Sequence, residues 1–364
     1  MSSRGLKTIA QSYPMTVCDV GARGGVKEDL ARIASGVDYV LFEPDEAAAG
    51  DLQQKGPAPY RSKKVLTLAL ASQECELDIN LYRARGCSSA YQADRDRAAL
   101  FSRADYYIHD GSIRVPASSL DTLVSSGELE SPSFLKLDIQ GMEADVFAGA
   151  CACLDASVVG VRCEVSFFEL YTDQPLFSHI ERRLARHGFW PMRWLEFHEW
   201  RRRTRAKYPD RMDGPLPASR GQMIHGDILF LKMPEDLPAN DERDIVKLCH
   251  LGCVAACYDM LDHAAAAFAR PGVQEVVRAH TGVDPLCELS DLSRRLDRKA
   301  RVERFADRLV GAYIASEALR VMAKRKGTEA SRHGAPDRRL RVLYPFIGDS
   351  VGGSHVSTAE LIDA

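Results

Sequence analysis

The stretch VCDVGARGG, residues 17–25, joins an apolar run to a cluster of glycines. Glycine lets the chain turn sharply and lets the backbone approach a ligand closely. The apolar residues that follow, Val26, Leu30 and Ile33, repeat at helical spacing. We therefore predict a strand, a tight turn and a helix whose N-terminus favours an anionic or polar group. A strand-to-helix turn that binds no ligand would have the same pattern.

Outward from this stretch, short apolar runs alternate with amphipathic segments across residues 16–234. The runs that predict strands are Thr16–Val20, Tyr39–Phe42, Lys64–Ala69, Phe134–Leu137, Val158–Val165 and Ile228–Leu231. Strands that alternate with helices favour a parallel sheet covered on both faces, so we predict a doubly wound, Rossmann-like α/β fold. Such sheets bind ligands beyond the carboxyl ends of their strands. The residues directly after each strand are therefore the candidates for function.

Glu43 follows the second predicted strand, in the run LFEP of residues 41–44. An acid about twenty residues beyond a glycine turn suits hydrogen bonding to the ribose hydroxyls of a nucleotide cofactor. Two enzyme classes fit this spacing, nicotinamide-dependent oxidoreductases and S-adenosylmethionine (SAM)-dependent methyltransferases. The dinucleotide fingerprint requires Gly-x-Gly-x-x-Gly, but Asp19 stands two residues before Gly21. Because SAM has an amino group and no pyrophosphate, this loop favours the methyltransferase.

Two further acids follow or interrupt apolar strands. Asp138 ends the run FLKLD of residues 134–138, with Gln140 two residues later, and Glu164 lies inside the apolar run of residues 158–165. Charged groups at buried positions are costly unless they are paired or used. We therefore expect Asp138 and Glu164 in the substrate cleft. Asp138 and Glu143 could instead only cap the helix that follows.

The composition excludes several functional classes. The chain has 364 residues, a net charge of -3 and a pI of about 6.4, so no global charge favours nucleic acid as a partner. The sequence has neither a basic-then-apolar leader nor an apolar run long enough to span a membrane, and we expect a cytoplasmic protein. Its ten cysteines include no C-x2-C pair, so we expect buried free thiols and no metal site.

The motifs, taken in order, resemble the FkbM family of methyltransferases over roughly residues 16–233. The matching runs are VCDVGARGG, LFEPD, SSLDTL, FLKLDIQGMEADVFAGA, EVSFFELYTDQPLF followed by HGF, and GDILFLK. The resemblance implies a class I methyltransferase fold with a seven-stranded sheet whose last strand is antiparallel. It also implies SAM as methyl donor and, as product, an O-methyl ether on a sugar, a glycan or a natural-product hydroxyl.

The resemblance also assigns roles to residues of this chain. The residues that it places around the cofactor are Asp19, Gly21 and Gly24 at the methionine part, Glu43 at the ribose, and Ala71 and Ser72 at the adenine. Asp138 is placed near the transferred methyl group and the acceptor. Gln140 stands where this motif often has an acid.

Transfer to a hydroxyl requires a base, because the acceptor must lose its proton. Asp138 and Glu164 are the leading candidates from the sequence, and His109 and His179 are the alternatives. The protein otherwise has to align the acceptor oxygen with the methyl group, since the cofactor itself supplies the activation.

The sequence predicts five segments. Residues 1–15 are a polar lead, residues 16–234 a methyltransferase domain, residues 235–327 a helical extension, and residues 328–340 a linker. Residues 341–364 resemble the start of a two-domain glycosyltransferase, so we expect a fused or associated glycosyltransferase as a possible partner. A non-catalytic module that serves such a glycosyltransferase is therefore a third functional alternative.

Overall fold

The computed structural model describes residues 4–24, 28–204, 219–302 and 304–305. Within these residues, ten strands form two sheets. In chain order they are β1 (Met15–Val20), β2 (Val37–Phe42), β3 (Ser62–Leu66), β4 (Ala69–Leu70), β5 (Cys75–Tyr82), β6 (His109–Ser118), β7 (Pro132–Leu137), β8 (Gly160–Ser166), β9 (Phe189–Trp200) and β10 (Gln222–Lys232).

Ten α-helices lie within the described ranges. They are α1 (Arg4–Ser12), α2 (Glu46–Gln54), α3 (Arg95–Ala99), α4 (Leu120–Ser125), α5 (Glu143–Ala148), α6 (Cys151–Ala156), α7 (Phe177–Ala185), α8 (Glu242–Cys257), α9 (Leu261–Phe268) and α10 (Val273–Thr281). A further helical stretch covers residues 285–302. No helix in these described ranges has both the length and the apolar character that crossing a membrane requires.

The main sheet has seven strands in the order β3-β2-β1-β7-β8-β10-β9. The first five of these are parallel to one another, whereas β10 is antiparallel to both of its neighbours. All six residues of β1 and all six of β7 are buried, as expected for central strands covered on both faces. The predicted doubly wound α/β fold, with seven strands and an antiparallel last strand, is confirmed.

The second sheet was not predicted from the sequence. It has three strands in the order β4-β6-β5, of which β5 and β6 are antiparallel. The predicted strand Lys64–Ala69 is divided between the two sheets, because β3 ends at Leu66 and β4 begins at Ala69. Short strands with partly exposed faces, such as β5, give only a weak alternation in sequence.

The helix predicted from Val26, Leu30 and Ile33 is wrong in the described residues. This segment instead makes short 3₁₀ turns over Glu28–Leu30 and Ala34–Gly36, with Ile33 N–H donating to the carbonyl of Leu30. Leu30 and Ile33 are nevertheless buried, so the apolar stripe correctly predicted burial. A Cβ on Gly36 would lie 2.2 Å from the carbonyl oxygen of Ala10, so the close packing against α1 requires glycine at this position.

The N-terminal segment is more than the polar lead that we predicted. Helix α1 buries Leu6, Ile9 and Ala10 and contacts α8 and α10. Contacts between Cα atoms group residues 1–293 into one unit and residues 294–364 into another. Helices α8 to α10 therefore belong to the same unit as the sheet. The predicted linker 328–340 and the predicted glycosyltransferase start 341–364 lie outside the described residues.

Arg162 on β8 ties the antiparallel side of the sheet together. Its guanidinium is buried and bonds to Asp227 on β10, with Nε 2.7 Å from Oδ2, and to Glu196 on β9 at 2.5 Å. It also pairs with Asp29, which accepts a hydrogen bond from the hydroxyl of Tyr258 at 3.2 Å. Burial alone would lower the pKa of Arg162, but the carboxylates of Asp227 and Asp29 raise it.

His250 on α8 makes the stability of the fold depend on pH. Its Nδ1 lies 2.8 Å from the hydroxyl of Ser133 on β7, and burial lowers its pKa from 6.5 to about 4. The neutral imidazole of His250 therefore contributes fully to the free energy of unfolding above pH 6.5. This contribution is lost as the pH falls towards 4. We expect a loss on the order of 3 kcal/mol in the free energy of unfolding over this range.

Denaturant unfolding at a series of pH values measures this loss. The variant His250→Gln should lack this part of the slope between pH 6.5 and 4, whereas His179→Gln, at an exposed position on α7, should keep it. Identical slopes in the wild type and His250→Gln would contradict the assignment.

Candidate functional site

A cavity of about 440 Å³ opens at the carboxyl ends of β1, β2 and β7. Its polar side carries Glu43, Asp45, Arg23 and Asp138. Its apolar wall comes mainly from the second sheet and consists of Leu68, Ala69, Leu70, Leu77, Ile79, Leu81 and Ile113. The cavity therefore lies where ligands bind in doubly wound sheets, and it combines a few polar groups with an apolar surface.

Gly21 is held at the edge of this cavity between two neighbouring strand ends. Its N–H donates to the carbonyl of Phe42 at 3.1 Å, and the N–H of Asp138 donates to the carbonyl of Val20 at 3.1 Å. Gly21 has a φ of +82°, and a Cβ there would lie 2.1 Å from the carbonyl oxygen of Asp138. The turn therefore requires glycine both for its backbone conformation and for space.

Asp19 lies beneath the glycine turn and not on the cavity wall. Its side chain is completely buried on β1 and pairs with Lys136 on β7, with Oδ1 2.9 Å from Nζ. Nζ also lies 3.4 Å from the carbonyl of Gly21 and 3.9 Å from Asp138. Burial alone would lower the pKa of Lys136, but the charges of Asp19 and Asp138 outweigh burial and raise it. The lysine is therefore a buried cation between the two carboxylates.

Glu43 is on the cavity wall and is held by the turn that follows it. The side chain is only 4% exposed, and its Oε1 accepts a hydrogen bond from the N–H of Asp45 at 3.0 Å. Burial raises the pKa of Glu43, although this N–H and the charge of Arg23 partly oppose the shift. Glu43 is thus a fixed acceptor with little contact to water.

Asp45 links this wall to α2. Its Oδ1 caps the helix by accepting from the N–H groups of Ala47 and Ala48, and its other oxygen pairs with Arg23. Burial alone would raise the pKa of Asp45, but the Ala48 N–H and the Arg23 guanidinium lower it. The carboxylate is therefore favoured in the folded state.

A buried carboxylate shapes the loop after β7. Glu143 accepts hydrogen bonds from the N–H groups of Ile139 at 3.0 Å and Gly141 at 2.9 Å. Burial raises its pKa to about 8, and the nearby charge of Glu164 adds to this shift. The loop places Gln140 at a φ of +56° and Gly141 at +112°, so that Gln140 points into the site.

Gln140 connects the two predicted catalytic acids. Its Nε2 donates to Asp138 Oδ1 at 3.1 Å and to Glu164 Oε2 at 2.6 Å. The other oxygen of Glu164 lies 2.9 Å from Nδ1 of His225 on β10. Asp138 lines the cavity, whereas Glu164 is not among the described lining residues. The structure thus brings both acids into one hydrogen-bond network, which starts at the cavity and continues past the carboxyl end of β8 to β10.

Ala71 and Ser72, predicted at the adenine, face α5 and its end. Neither is among the described lining residues of the cavity. The N–H of Ser72 donates to Asp145 at 3.1 Å, and a Cβ on Gly149 would lie 2.3 Å from the carbonyl oxygen of Ala71. The wall at this place is formed instead by residues 68–70, just upstream.

The remaining predicted residues are dispersed. Gly24 ends the 3₁₀ turn Ala22–Gly24 that follows β1. His109 is exposed on β6, 3.3 Å from the hydroxyl of Ser112. His179 is exposed on α7 and borders a separate surface depression together with Arg182 and Arg183. Neither histidine belongs to the network that contains Asp138.

Residues 19–190 match the family model described as the methyltransferase FkbM domain. This chain carries an FkbM methyltransferase domain. The match supports a methyltransferase domain and not the nicotinamide-dependent alternative. The match contains the glycine turn, Glu43, Asp138 and Glu164, so the cavity lies within the FkbM domain.

Solved structures similar to the chain include a crystal structure of a methyltransferase FkbM from Methylobacillus flagellatus KT. The identity is 12%, the TM-score is 0.33, and the match covers 60% of this chain and 44% of that chain. A magnesium protoporphyrin IX methyltransferase from Synechocystis PCC 6803 with bound SAM is 10% identical, with a TM-score of 0.27 and coverage of 63% and 79%. The chain thus spans less than half of the Methylobacillus protein. No curated protein sequence matches the chain.

Two residues of the site and its hydrogen-bond network, Lys136 and His225, were missed from the sequence. Lys136 is a charged residue within an apolar run, the same signal that singled out Glu164, so it could have been found. His225 lies in the segment QMIHGD, 61 positions from its partner Glu164, and no local motif marks it. Only the pairing of β10 with β8 brings these two residues together.

We expect the variant Gly21→Ala to lower the free energy of unfolding by about 1–3 kcal/mol. Alanine is strained at the positive φ of this position, and its Cβ would clash with the carbonyl oxygen of Asp138. It should also raise the dissociation constant for SAM at least tenfold, measured by calorimetric titration. Gly50→Ala on α2 is the matched control, since a Cβ there meets nothing within 4 Å. Equal effects of the two substitutions would show that the Gly21 turn is not constrained.

Proposed function

We propose that the FkbM domain transfers the methyl group of SAM to a hydroxyl oxygen of a small molecule, with a sugar or glycan as the acceptor class. The observation that carries this proposal is the position of Asp138. It lines the cavity beside the glycine turn and is joined through Gln140 to Glu164 and His225. Proton-accepting groups at this place suit an acceptor that must lose a proton.

The residues of the cavity fit SAM. Gly21 lines the cavity without a side chain, so its backbone can approach the methionine part closely. Glu43 is positioned to accept from ribose hydroxyls, and the apolar wall of Leu68, Leu70 and Ile113 suits the adenine. Asp19 would act on the methionine part through Lys136 and the Gly21 carbonyl rather than by direct contact.

When bound, SAM supplies an activated methyl group on a sulfonium. The chain's own residues then have three tasks. The turn at Gly21 and the carboxylate of Glu43 fix the position of the donor, Asp138 orients the acceptor, and the apolar wall excludes water. Alignment of the reacting atoms can contribute several kcal/mol, up to roughly 7–11 in ideal cases.

The wider context of the reaction also belongs to this proposal. The resemblance of residues 341–364 to the start of a glycosyltransferase favours a sugar acceptor made or used by a fused or associated enzyme. We also propose that this reaction modifies glycans in the cytoplasm. A module that binds SAM without transferring the methyl group is the alternative to be tested.

Glu43→Ala should weaken SAM binding about 10- to 100-fold, because hydrogen bonds to a charged acceptor contribute roughly 1.5–3 kcal/mol each. Affinity should also fall as the pH drops through the raised pKa of Glu43, since the neutral carboxyl accepts more weakly. Calorimetric titration with SAM and with NAD measures both points. Glu46→Ala is the matched control, because Glu46 is exposed in the first turn of α2. Tight NAD binding without a response to SAM would contradict the proposal.

Incubation with SAM and a panel of acceptors tests the reaction itself. The panel contains nucleotide sugars, free monosaccharides and small polyols, with amines and carboxylic acids as comparison classes. We expect S-adenosylhomocysteine release and a methylated product only with hydroxyl acceptors. Asp138→Asn should lower turnover far more than SAM affinity. Transfer confined to amines or acids would contradict the hydroxyl assignment, and SAM binding without any transfer would favour the non-catalytic module.

A further inference from the structure

His225 lies at the same edge of the main sheet as the two predicted catalytic acids. Strand β10 runs antiparallel to β8, and its early residues pair with the carboxyl end of β8. His225 is opposite Ser166, and Asp227 is opposite Glu164. In the strand order, β8 and β10 lie on one side of β7, which leads into Asp138. Gly21 and Glu43 follow β1 and β2 on the other side of β7, so His225 and these two residues lie on opposite sides of Asp138.

Both oxygens of Glu164 are already engaged. Oε2 accepts from Gln140 at 2.6 Å, and Oε1 lies 2.9 Å from Nδ1 of His225. A carboxylate held by two donors is a weak proton acceptor, but it fixes the tautomer of the histidine that it contacts. With Nδ1 donating to Glu164, the lone pair of the neutral ring is on Nε2.

The ring of His225 is fixed on its faces as well. It stacks on His198 with the ring centroids 4.5 Å apart and an angle of 22°, and it meets Trp200 edge-on at 5.7 Å. Its side chain is 22% exposed, and Glu164 and Gln140 connect it to Asp138 on the cavity wall. A carboxylate partner on Nδ1 and a fixed ring are features of a histidine general base, and they leave Nε2 as its proton-accepting nitrogen.

We propose that His225 is the general base of methyl transfer and that Glu164 is its positioning residue. This inference rests on the proposed function, because it requires a hydroxyl acceptor. As the acceptor oxygen forms a bond to the methyl carbon, its O–H bond breaks and the proton passes to Nε2 of His225. The carbon–sulfur bond breaks at the same time, and its electron pair remains on sulfur. Charge balances, since a sulfonium is lost and an imidazolium forms.

The surroundings of His225 keep the ring neutral before the reaction and tolerate its charge afterwards. Burial lowers its pKa, and the positive charge of Arg103 acts in the same direction. The acids Asp138, Asp227 and Glu196 oppose this shift. The contacting side chains are Glu164, His198 and Trp200. The same acids that oppose the shift would stabilise the imidazolium formed in the transfer.

The test compares the wild type with His225→Gln, Glu164→Gln and His187→Gln. His187 is a matched control, since it pairs with Asp155 outside the network. With any hydroxyl acceptor of the panel, His225→Gln should lower kcat/KM by about 10²–10⁴ and remove the decline of the rate at acid pH. Glu164→Gln should retain that decline but move it to lower pH, because the ring loses a negative partner. The SAM dissociation constant should stay within about threefold in every variant.

A second readout does not depend on turnover. In ¹⁵N-histidine NMR spectra of the full chain, the signal lost in His225→Gln identifies the ring, and its titration should move to lower pH in Glu164→Gln. A ring titration unaffected by Glu164→Gln would overturn the pairing, and full turnover of His225→Gln would overturn the base. A wild type that methylates no hydroxyl acceptor would contradict the proposed function together with this inference. Normal wild-type turnover with an active His225→Gln variant would contradict the inference alone.

Discussion

The ion pair between Asp19 and Lys136 is the interaction on which the cavity side of the main sheet depends. It joins β1 to β7, the two central strands, at the place where the order of the sheet reverses direction in the chain. Removing two charges from water costs several kcal/mol per ion, so each side chain needs the other. Lys136 also reaches the carbonyl of Gly21. The pair thus fixes the glycine turn from below and leaves Asp138, beyond the lysine, to face the cavity.

The two sides of the site carry different kinds of chemical groups. On the side of β1 and β2 it has a glycine turn, a buried acceptor in Glu43 and an apolar wall from the second sheet. On the side of β8 and β10 it has a chain of polar groups that ends at His225. Asp138 and Gln140 are the residues that belong to both sides. A loop set by Glu143 holds them in place.

The sequence predicts β1, β2, β3, β7, β8 and β10 of the main sheet but not β9, because the central strands are continuous apolar runs and their ends carry distinctive residues. It fails where local pattern does not determine structure. The stripe at Leu30 and Ile33 predicted burial correctly but not the 3₁₀ turns. Gly21, Glu43 and Asp138 line the cavity, whereas Ala71 and Ser72 do not. His225 could not be predicted, because its partner is brought to it only by strand pairing.

The turn from Glu43 to Asp45 gives helix α2 a second function. Asp45 caps that helix with its side chain and holds Glu43 with its N–H, so the cavity wall and the helix start share three consecutive residues. Local opening of the first turn of α2 would therefore release Glu43 as well. A ligand that binds Glu43 favours the closed turn by mass action and slows amide hydrogen exchange at Ala47 and Ala48. The helix cap thus connects occupancy of the cavity to the local unfolding of a helix outside it.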